Sequence, residues 1–313
     1  MNPKISLVIP AKDEAGSVKR LYQEIFSVLS SVAKSAEIIF IDDGSKDNTF
    51  AILARIAKKD KRVKIIKLRG NWGKSVALQT GFDHAKGDTI ITMDADLQDD
   101  PRDIPKFIDK INEGFDLVVG WKKKRKDPFI TVLFSRIFNN LLIPVLTGVK
   151  LHDNNCGFKA FKKEAAKSLN LYGELFRFIP VILSKQNYKI CEIEVHHRKR
   201  LFGKSKFGIA KNIKGFLDLI TITFLTGYIR RPGHFFGGLG IISFSLGFLI
   251  GIYITYLRIT TGSIQYHLPL LILGLLLMVI GVQFVTTGLI AEMMTNFNQK
   301  NSSYERFIEK IVG

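Results

Sequence analysis

Two carboxylates and an amide alternate along residues 94–98, which read DADLQ and directly follow an apolar run. That run, residues 89–93, is rich in β-branched side chains and predicts a buried strand. Asp94, Asp96 and Gln98 would then lie at the carboxyl end of a strand, where open α/β sheets bind their ligands. Hard oxygen donors on one side of an extended turn suit Mg²⁺ or Mn²⁺ carrying a diphosphate. A plain turn or a helix cap is the alternative explanation.

Two further polar loops follow predicted strands. Residues 10–14, PAKDE, come after a strand predicted at 5–9, and residues 42–45, DDGS, come after one at 37–41. Parallel strands end at a common edge, so these loops should gather beside residues 94–98. The chain contains no Gly-rich dinucleotide fingerprint and no P-loop, which disfavours dinucleotide oxidoreduction and NTP hydrolysis. A nucleotide held by carboxylates at its base and ribose, and by a metal ion at its phosphates, fits better.

Alternating strands and helices position these loops. Strands are predicted at 5–9, 37–41, 63–68, 89–93 and 116–120, and helices at 17–32, 49–59, 74–86 and 101–113. This alternation predicts an α/β fold with a Rossmann-like, mostly parallel sheet that is covered on both faces.

Two uncharged apolar runs follow near the C-terminus, at 235–257 and 268–291. Each exceeds the roughly 20 residues that a helix needs to cross a bilayer, so we expect a transmembrane hairpin; buried core helices are the alternative. Arg230 and Arg231 precede the first run, and further cations follow the second. The positive-inside rule therefore predicts an integral protein of the cytoplasmic membrane, with its catalytic domain and both termini in the cytoplasm. The chain enters a strand directly after Lys4, so no cleavable signal peptide is expected.

The expected domain organisation has three parts. Residues 1–228 form a cytoplasmic domain that includes interfacial amphipathic helices at about 129–147 and 207–228, residues 229–296 form the hairpin, and residues 297–313 form a cytoplasmic tail. The two cysteines, Cys156 and Cys191, are expected to be reduced and packed in the interior.

A net charge of +18 raises the question of a nucleic-acid partner. The basic residues crowd at 122–126 and 198–206, without the interleaved aromatic side chains typical of RNA-binding surfaces. Beside a membrane, such clusters attract anionic lipid heads by about 1 kcal/mol per cation. We therefore expect membrane lipids as partners and no nucleic acid.

Several motifs, taken in order, resemble family 2 glycosyltransferases of the polyprenyl-phosphate hexosyltransferase type, which includes dolichyl-phosphate mannose synthase and bacterial polyprenyl-phosphate glucosyltransferases. The matching segments are PAKDE at 10–14, DDGS at 42–45, RGNWGKSVAL at 69–78, DADLQ at 94–98, CGFK at 156–159, ELFRFIP at 174–180 and HHRKRLFGKSKFG at 196–208. The resemblance implies a GT-A type fold and metal-dependent, inverting transfer of a hexose from a nucleotide-diphosphate sugar to a membrane polyprenyl phosphate. UDP-glucose is favoured as the donor, with GDP-mannose as the alternative.

The resemblance also implies roles for individual residues on the donor side. The nucleotide pocket would be lined by Pro10, Asp13, Glu14, Asn71, Gly73 and Lys74. Asp42 would accept a hydrogen bond from an N–H group of the base, and Asp43 would structure the same loop. For Asp13 and Asp43, helix capping is the alternative role. Asp94 would contact the ribose or the donor sugar, while Asp96 and Gln98 would hold Mg²⁺ or Mn²⁺.

The acceptor's phosphate head requires cations at the membrane surface. Arg200 is the first choice, because its planar guanidinium matches phosphate oxygens. Ser205 and Lys206 lie in the same segment, and Arg125 and Arg136 are second choices. Asp94, Asp96 and Arg200 are thus the predicted catalytic residues.

The ELFRFIP segment admits two explanations. Arg177 resembles part of the family's active-site wall, but an ion pair with Glu174 that holds the helix is equally consistent. Phe176 stands where relatives commonly have a histidine, which leaves the role of that imidazole without a counterpart here.

Two other functions are compatible with parts of the sequence. A membrane polysaccharide synthase would share the N-terminal fold, but the chain lacks a Gln-x-x-Arg-Trp motif and the additional spans of a polymer channel. A non-catalytic membrane protein that binds nucleotide sugar or lipid phosphate would not need the complete set of Asp94, Asp96 and Gln98. The sequence leaves a homo-oligomer open.

Overall fold

A computed structural model of the chain describes residues 4–32, 35–123, 143–198 and 232–300. Contacts divide the chain into two units, residues 1–223 and residues 224–313. The first carries an α/β sheet and the second a pair of long helices. The interfacial helix predicted at 207–228 lies outside the described residues, and of the one predicted at 129–147 only Ile143–Thr147 is described, as a helix.

Seven strands form one sheet in the first unit, in the order β3-β2-β1-β4-β6-β5-β7. β6 runs antiparallel to both of its neighbours, and the other pairs are parallel. The predicted α/β fold with a mostly parallel sheet is therefore confirmed. The strands are β1 (Ile5–Ala11), β2 (Ala36–Asp42), β3 (Val63–Lys67), β4 (Thr89–Thr92), β5 (Leu117–Trp121), β6 (Lys159–Lys162) and β7 (Ile190–Glu194).

Helices connect these strands. The four predicted from the sequence are observed as α1 (Val18–Val32), α2 (Thr49–Lys59), α3 (Lys74–His84) and α4 (Ile104–Asn112), the last preceded by a 3₁₀ turn at Pro101–Asp103. Shorter helices follow: α5 (Ile143–Thr147), α6 (Lys163–Lys167), a 3₁₀ turn at Leu175–Phe178 and α7 (Ile179–Lys185). Apolar side chains from these helices and from the strands form one buried core.

The register of the central strands aligns their carboxyl ends. Ala11, the last residue of β1, pairs with Asp42, the last residue of β2. On the other side of β1, Val8 pairs with Thr92, the last residue of β4. The polar loops after β1, β2 and β4 therefore leave the sheet at one edge, as the sequence predicted.

Two strands that the sequence analysis did not predict complete the sheet. β6 inserts between β4 and β5, which places the residues before it, 156–158, next to the end of β4. β7 extends the sheet parallel to β5. The segment after β7 pairs back through an antiparallel bridge between His197 and Asp99. β6 and β7 together bring residues of the second half of the chain to the polar edge.

The second unit contains α8 (Pro232–Thr261) and α9 (Leu268–Lys300), joined through a 3₁₀ turn at Gln265–His267. Mean hydropathy reaches 2.1 for Pro232–Thr261 and 2.6 for Gln265–Met294, so both segments are long and apolar enough to cross a membrane. The apolar runs at 235–257 and 268–291 lie within these helices.

Glycines spaced seven residues apart allow α8 and α9 to pack closely. A Cβ atom at Gly240 would lie 2.7 Å from the carbonyl oxygen of Gly281, and one at Gly247 would lie 2.5 Å from that of Gly274. Side chains at these positions would push the helices apart, which is the usual reason for small residues between apolar helices.

Candidate active site

Asp13 joins the loops that follow β1 and β2. Its Oδ1 accepts a hydrogen bond from the Lys46 amide at 2.7 Å, and its own amide donates to Ser45 Oγ at 3.0 Å. The backbone of Asp13 is left-handed, with φ of 56°. These bonds hold the two loops together, and Asp13 does not cap α1, which begins only at Val18.

The predicted neighbours of Asp13 lie in the same loop pair. Pro10 pairs with Ile41 at the end of the sheet. The Glu14 amide donates to Thr49 Oγ1 at 2.8 Å, while Ser17 Oγ donates to Glu14 Oε2 at 2.7 Å. Glu14 thus links the first loop to the start of α2.

Asp42 and Asp43 are adjacent and buried, but their carboxylates have different partners. Asp43 accepts hydrogen bonds from the amides of Trp72 and Gly73 at 2.7 and 3.0 Å. Asp42 Oδ1 accepts from the Ser45 amide at 3.1 Å, whereas its Oδ2 has no hydrogen-bond partner among the described residues. A buried carboxylate oxygen without a donor is costly unless a ligand supplies one. Since Asp42 is fully buried, the loops above it must open for a ligand to reach it.

The loop at 70–73 packs directly on the loop at 42–45. Gly44 has φ of +65°, and a Cβ atom there would lie 2.5 Å from the carbonyl carbon of Gly70 and 2.8 Å from the amide nitrogen of Asn71. Only glycine allows this approach. Trp72 projects from the same loop with 66% of its surface exposed. Asn71 and Gly73, predicted to flank the nucleotide, therefore lie beside Asp42 and Asp43.

Lys74, the first residue of α3, forms an ion pair with Asp94 at 2.5 Å between Nζ and Oδ1. The Asp94 side chain is 30% exposed, so a ligand can reach it. Burial raises the pKa of Asp94, but the ammonium groups of Lys74 and Lys122 outweigh it and hold that pKa below its usual value. Asp94 therefore stays ionised, with its charge shared by lysines.

Asp96 and Gln98 lie in a turn after β4. The sequence predicted an extended turn, but Leu97 between them has φ of 64°, so the backbone reverses locally. The Asp96 carboxylate is buried and accepts the Gln98 amide at 3.1 Å. No group of three or more His, Cys, Asp or Glu side chains in the described part of the chain is arranged to hold a metal ion. Two oxygen donors still fit Mg²⁺ or Mn²⁺, because such ions complete their shell with substrate phosphates and water.

Lys122 corrects the interpretation of the basic run at 122–126 as a surface that attracts lipid. Its ammonium pairs with Asp99 at 2.8 Å and only 13% of the side chain is exposed. Burial lowers the pKa of Lys122, but Asp99 more than compensates, so the pKa lies above its usual value. Lys122 is a largely buried cation at the polar edge of the sheet.

Lys159 and Gly157, in the CGFK segment, approach Asp94 from the strand next to β4. A Cβ atom at Gly157 would lie 2.5 Å from Asp94 Oδ2. Lys159 is 3% exposed, its ammonium donates to the carbonyl oxygen of Cys156, and burial lowers its pKa to about 8. The CGFK motif was recognised in the sequence, but Gly157 and Lys159 were given no role, because a strand that begins and ends with a lysine does not indicate a buried cation.

The two cysteines are free, as predicted. Cys156 is buried, and burial raises its pKa to about 12, so its thiol is not a nucleophile at neutral pH. Cys191 is half-buried, and burial raises its pKa to about 11.

The ELFRFIP segment contacts the start of α3. The Phe176 amide donates to Ser75 Oγ at 3.1 Å, and the Lys74 ammonium lies 5.3 Å from the centre of the Phe176 ring. Arg177 pairs with Glu174 at 3.0 Å, as one of the two explanations proposed. Phe176, not an imidazole, is thus the neighbour of the Lys74–Asp94 pair.

The described part of the acceptor segment ends at Arg198, whose amide donates to the carbonyl oxygen of Gln98 at 2.9 Å. The residues predicted to bind the lipid phosphate lie outside the described residues: Arg125, Arg136, Arg200, Ser205 and Lys206. On the donor side, every predicted residue from Pro10 to Gln98 lies at the same edge of the sheet.

The sequence from residue 6 to residue 169, which holds these donor-side loops, matches the family model described as glycosyl transferase family 2. The chain belongs to glycosyl transferase family 2. The family predicted from the ordered motifs is confirmed, and the protein is a glycosyltransferase.

Curated relatives of this glycosyltransferase match it over nearly its whole length. It is 36% identical over 309 residues to a dodecaprenyl-phosphate galacturonate synthase of Rhizobium johnstonii, covering 97% of this chain and 91% of the relative. It is 34% identical over 292 residues to an undecaprenyl-phosphate 4-deoxy-4-formamido-L-arabinose transferase of Shewanella sediminis, covering 92% and 86% respectively.

Solved structures agree on the fold. Glucosyl-3-phosphoglycerate synthase from Mycobacterium tuberculosis, in complex with Mn²⁺ and UDP-glucose, matches with a TM-score of 0.52 at 20% identity, over 71% of this chain and 79% of that one. The predicted GT-A type of the glycosyltransferase domain is therefore confirmed.

Proposed function

We propose that this glycosyltransferase moves a sugar from a nucleoside diphosphate to the phosphate of a membrane polyprenyl lipid. The observation that carries the proposal is the assembly of residues 10–14, 42–45, 70–74 and 94–98 at one sheet edge. The names of the two curated relatives, both polyprenyl-phosphate sugar enzymes, support the acceptor. The two long apolar helices support attachment to the membrane in which such a lipid resides.

The donor nucleotide is proposed to lie across the loops after β1 and β2. Asp42 Oδ2, which has no hydrogen-bond partner in the described chain, would accept the N–H of a uracil ring. Asp43 fixes the loop at 72–73 through two backbone amides and leaves Asn71 free to flank the base. Uracil presents an N–H between two carbonyl groups, so a carboxylate acceptor matches it.

The diphosphate and sugar are proposed to lie beside Asp94. Asp96 and Gln98 are the residues that would hold Mg²⁺ or Mn²⁺, and the manganese bound in a fold relative supports a divalent ion. When bound, that ion supplies positive charge that stabilises the departing diphosphate. Lys74 would bind the diphosphate from the opposite side, since its ammonium already lies against Asp94.

The proposed reaction is a single displacement with inversion. A phosphate oxygen of the lipid attacks the anomeric carbon and forms a new C–O bond. The bond between the anomeric carbon and the β-phosphate oxygen of the donor breaks, and the nucleoside diphosphate leaves. The attacking phosphate is anionic at neutral pH, so no side chain has to remove a proton. The chain's contribution is to hold both substrates in line and to neutralise charge, which can supply most of the rate enhancement.

The sugar is the least constrained part of this proposal. The family resemblance favoured UDP-glucose, whereas the relatives are named for a uronate and for a formamido-arabinose. Within one family, the contacts around the sugar vary more than the fold, so fold alone does not select among these sugars. We therefore propose a UDP-linked sugar and treat UDP-glucose, UDP-galacturonate and the arabinose derivative as competing donors.

The test uses the full-length protein in detergent with undecaprenyl phosphate and Mg²⁺ or Mn²⁺. UDP-glucose, UDP-galacturonate, UDP-4-deoxy-4-formamido-L-arabinose and GDP-mannose are supplied one at a time, and nucleoside diphosphate release is measured with and without the lipid. Lipid-dependent release with one labelled sugar in the lipid product is expected. Release together with a polymer would indicate a polysaccharide synthase, and nucleotide binding without release from any donor would indicate a binding protein.

A further inference from the structure

Arg198 bonds to two separate segments of the first unit, α1 and the loop after β4. Its Nη1 lies 2.6 Å from Glu24 Oε2 on α1, and its Nη2 lies 2.7 Å from Asp100 Oδ1 in the loop after β4. Its backbone amide donates to the carbonyl oxygen of Gln98 at 2.9 Å. Arg198 belongs to the basic run at 198–206 that was predicted to attract lipid, but its guanidinium pairs with two carboxylates.

These ion pairs differ from ordinary surface pairs because one partner is buried. The Asp100 side chain is 1% exposed, and that of Arg198 is 28% exposed. Burial raises the pKa of Asp100, but the guanidinium groups of Arg102 and Arg198 outweigh it and hold that pKa well below its usual value. A buried carboxylate requires such partners, and removing one from it is far more damaging than breaking an exposed pair.

The place of Arg198 in the chain connects the two substrate sides. The bridge between His197 and Asp99 and the bond from Arg198 to Gln98 attach this segment to the turn that holds Asp96. The segment proposed to bind the lipid phosphate begins two residues later, at Arg200. The loops at 10–14, 42–46 and 70–73 are held together by hydrogen bonds in which Arg198 takes no part, so its loss should act on the start of the acceptor segment more than on the nucleotide pocket.

We infer that Arg198 is a positioning residue that fixes the start of the acceptor-binding segment against the turn at 96–100. This inference rests on the proposed transfer to a polyprenyl phosphate. The planar guanidinium reaches Glu24 and Asp100 at the same time, which a lysine ammonium cannot do with matched geometry. Small displacements of a substrate-positioning group reduce rates strongly, so the effect should appear in kinetics with the lipid.

The test compares Arg198→Ala and Arg198→Lys with two matched controls in the full-length protein. The controls are Arg20, which pairs with Glu24, and Arg102, which pairs with Asp100. Each of these ion pairs joins residues close in sequence and links no separate segments. Initial rates are measured against undecaprenyl phosphate at saturating donor, and against donor at saturating lipid, with the nucleotide sugar that the wild-type protein uses. UDP binding is measured in parallel to verify that each variant is folded.

For Arg198→Ala, kcat/KM for undecaprenyl phosphate should fall by about 10-fold to 100-fold, while the KM for the donor stays within about twofold. Arg198→Lys should recover part of that loss, and Arg20→Ala should behave like the wild type. Arg102→Ala removes a partner of the buried Asp100 but no link to α1, so it should lower stability without a selective loss for the lipid. Equal losses for donor and lipid, or equal losses in the controls, would overturn the positioning role. If Arg198→Ala does not bind UDP, Glu24→Ala provides the test, because it removes the contact of Arg198 with α1 and leaves the contact with Asp100. An unchanged kcat/KM for the lipid in that variant would overturn the inference as well.

The inference and the proposed function fail in different ways. A wild-type protein that forms no lipid-linked sugar with any donor contradicts the proposed function. An active wild-type protein with an unchanged Arg198→Ala variant contradicts the role of Arg198 alone.

Discussion

The polar edge of the sheet has two halves that are stabilised differently. In the nucleotide half, residues 10–14, 42–46 and 70–73, carboxylates accept hydrogen bonds from backbone amides, as Asp13 and Asp43 do. In the phosphate half, which comprises Lys74, residues 94–99, Lys122 and residues 156–159, carboxylates pair with lysine ammonium groups.

This difference has consequences for binding and for pH. Backbone amides do not titrate, so the nucleotide half keeps its shape over the neutral and alkaline range. The phosphate half depends on the charge of three lysines, of which Lys159 has a pKa lowered to about 8 by burial. Substitutions in the first half should therefore alter affinity for the nucleotide, and substitutions in the second should alter turnover and its pH dependence.

The largest effect is expected from Asp96→Asn in the phosphate half. The amide keeps the oxygen that accepts the Gln98 amide but loses the negative charge proposed to hold a divalent ion. We expect kcat to fall by at least about 100-fold with Mg²⁺ or Mn²⁺, while UDP binding without added metal is retained. The same chemical change at the exposed Asp109 of α4 is the control. Near-normal turnover of Asp96→Asn would refute the metal assignment.

The second largest effect separates the two adjacent carboxylates of the nucleotide half. Asp42→Asn replaces the Oδ2 acceptor by an NH₂ donor facing the proposed base, so UDP should bind about 10-fold to 100-fold more weakly, with kcat little changed. Asp43→Asn retains one acceptor for the amides at 72–73, so its loss should be only a few-fold. Calorimetric titration with UDP measures both. Equal losses would mean that Asp42 supports the loop and does not contact the base.

Much of the nucleotide half could be predicted from the sequence because its determinants are local. Strands with β-branched residues, such as β2 and β4, end in polar loops, and parallel pairing brings those loops together whatever the details of packing. The close packing of Gly44 on Gly70 was not predicted, because the two glycines lie in different loops that only the fold brings together.

The phosphate half could be predicted less well because its partners are distant in sequence. β6 is only four residues long and contains two lysines, so neither length nor alternation indicates a strand. Lys122 begins a basic run that is typical of an exposed surface, and only the fold reveals that Asp99 meets it in the interior. A charge in a sequence does not specify where its counter-charge will lie.

A smaller effect should follow from disrupting the Lys74–Asp94 ion pair. Lys74→Met removes a cation that lowers the pKa of Asp94, so we expect kcat/KM for the donor to fall about tenfold and the acidic limb of the pH profile to move to higher pH. A double-mutant cycle with Asp94→Asn should give a coupling energy of about 1–3 kcal/mol in kcat/KM. Strictly additive losses would show that the two residues act independently.

The smallest effect at neutral pH, and the sharpest distinction between the halves, is expected at Lys159. Because burial lowers its pKa to about 8, its ammonium is present below that pH and is lost as the pH rises through it. The positive charge beside Asp94 then disappears, so kcat should decline above pH 8 in the wild type, whereas UDP affinity, set by backbone amides, should not.

Two variants test this origin of the alkaline decline in kcat. Lys159→Arg stays charged and should move the alkaline limb of the kcat profile to higher pH, and Lys159→Met should abolish that limb while lowering kcat at neutral pH. Lys185→Arg, on the exposed end of α7, is the control. An alkaline limb that is identical in all four proteins would show that Lys159 does not sense the phosphate half, and that its burial serves the packing of β6 alone.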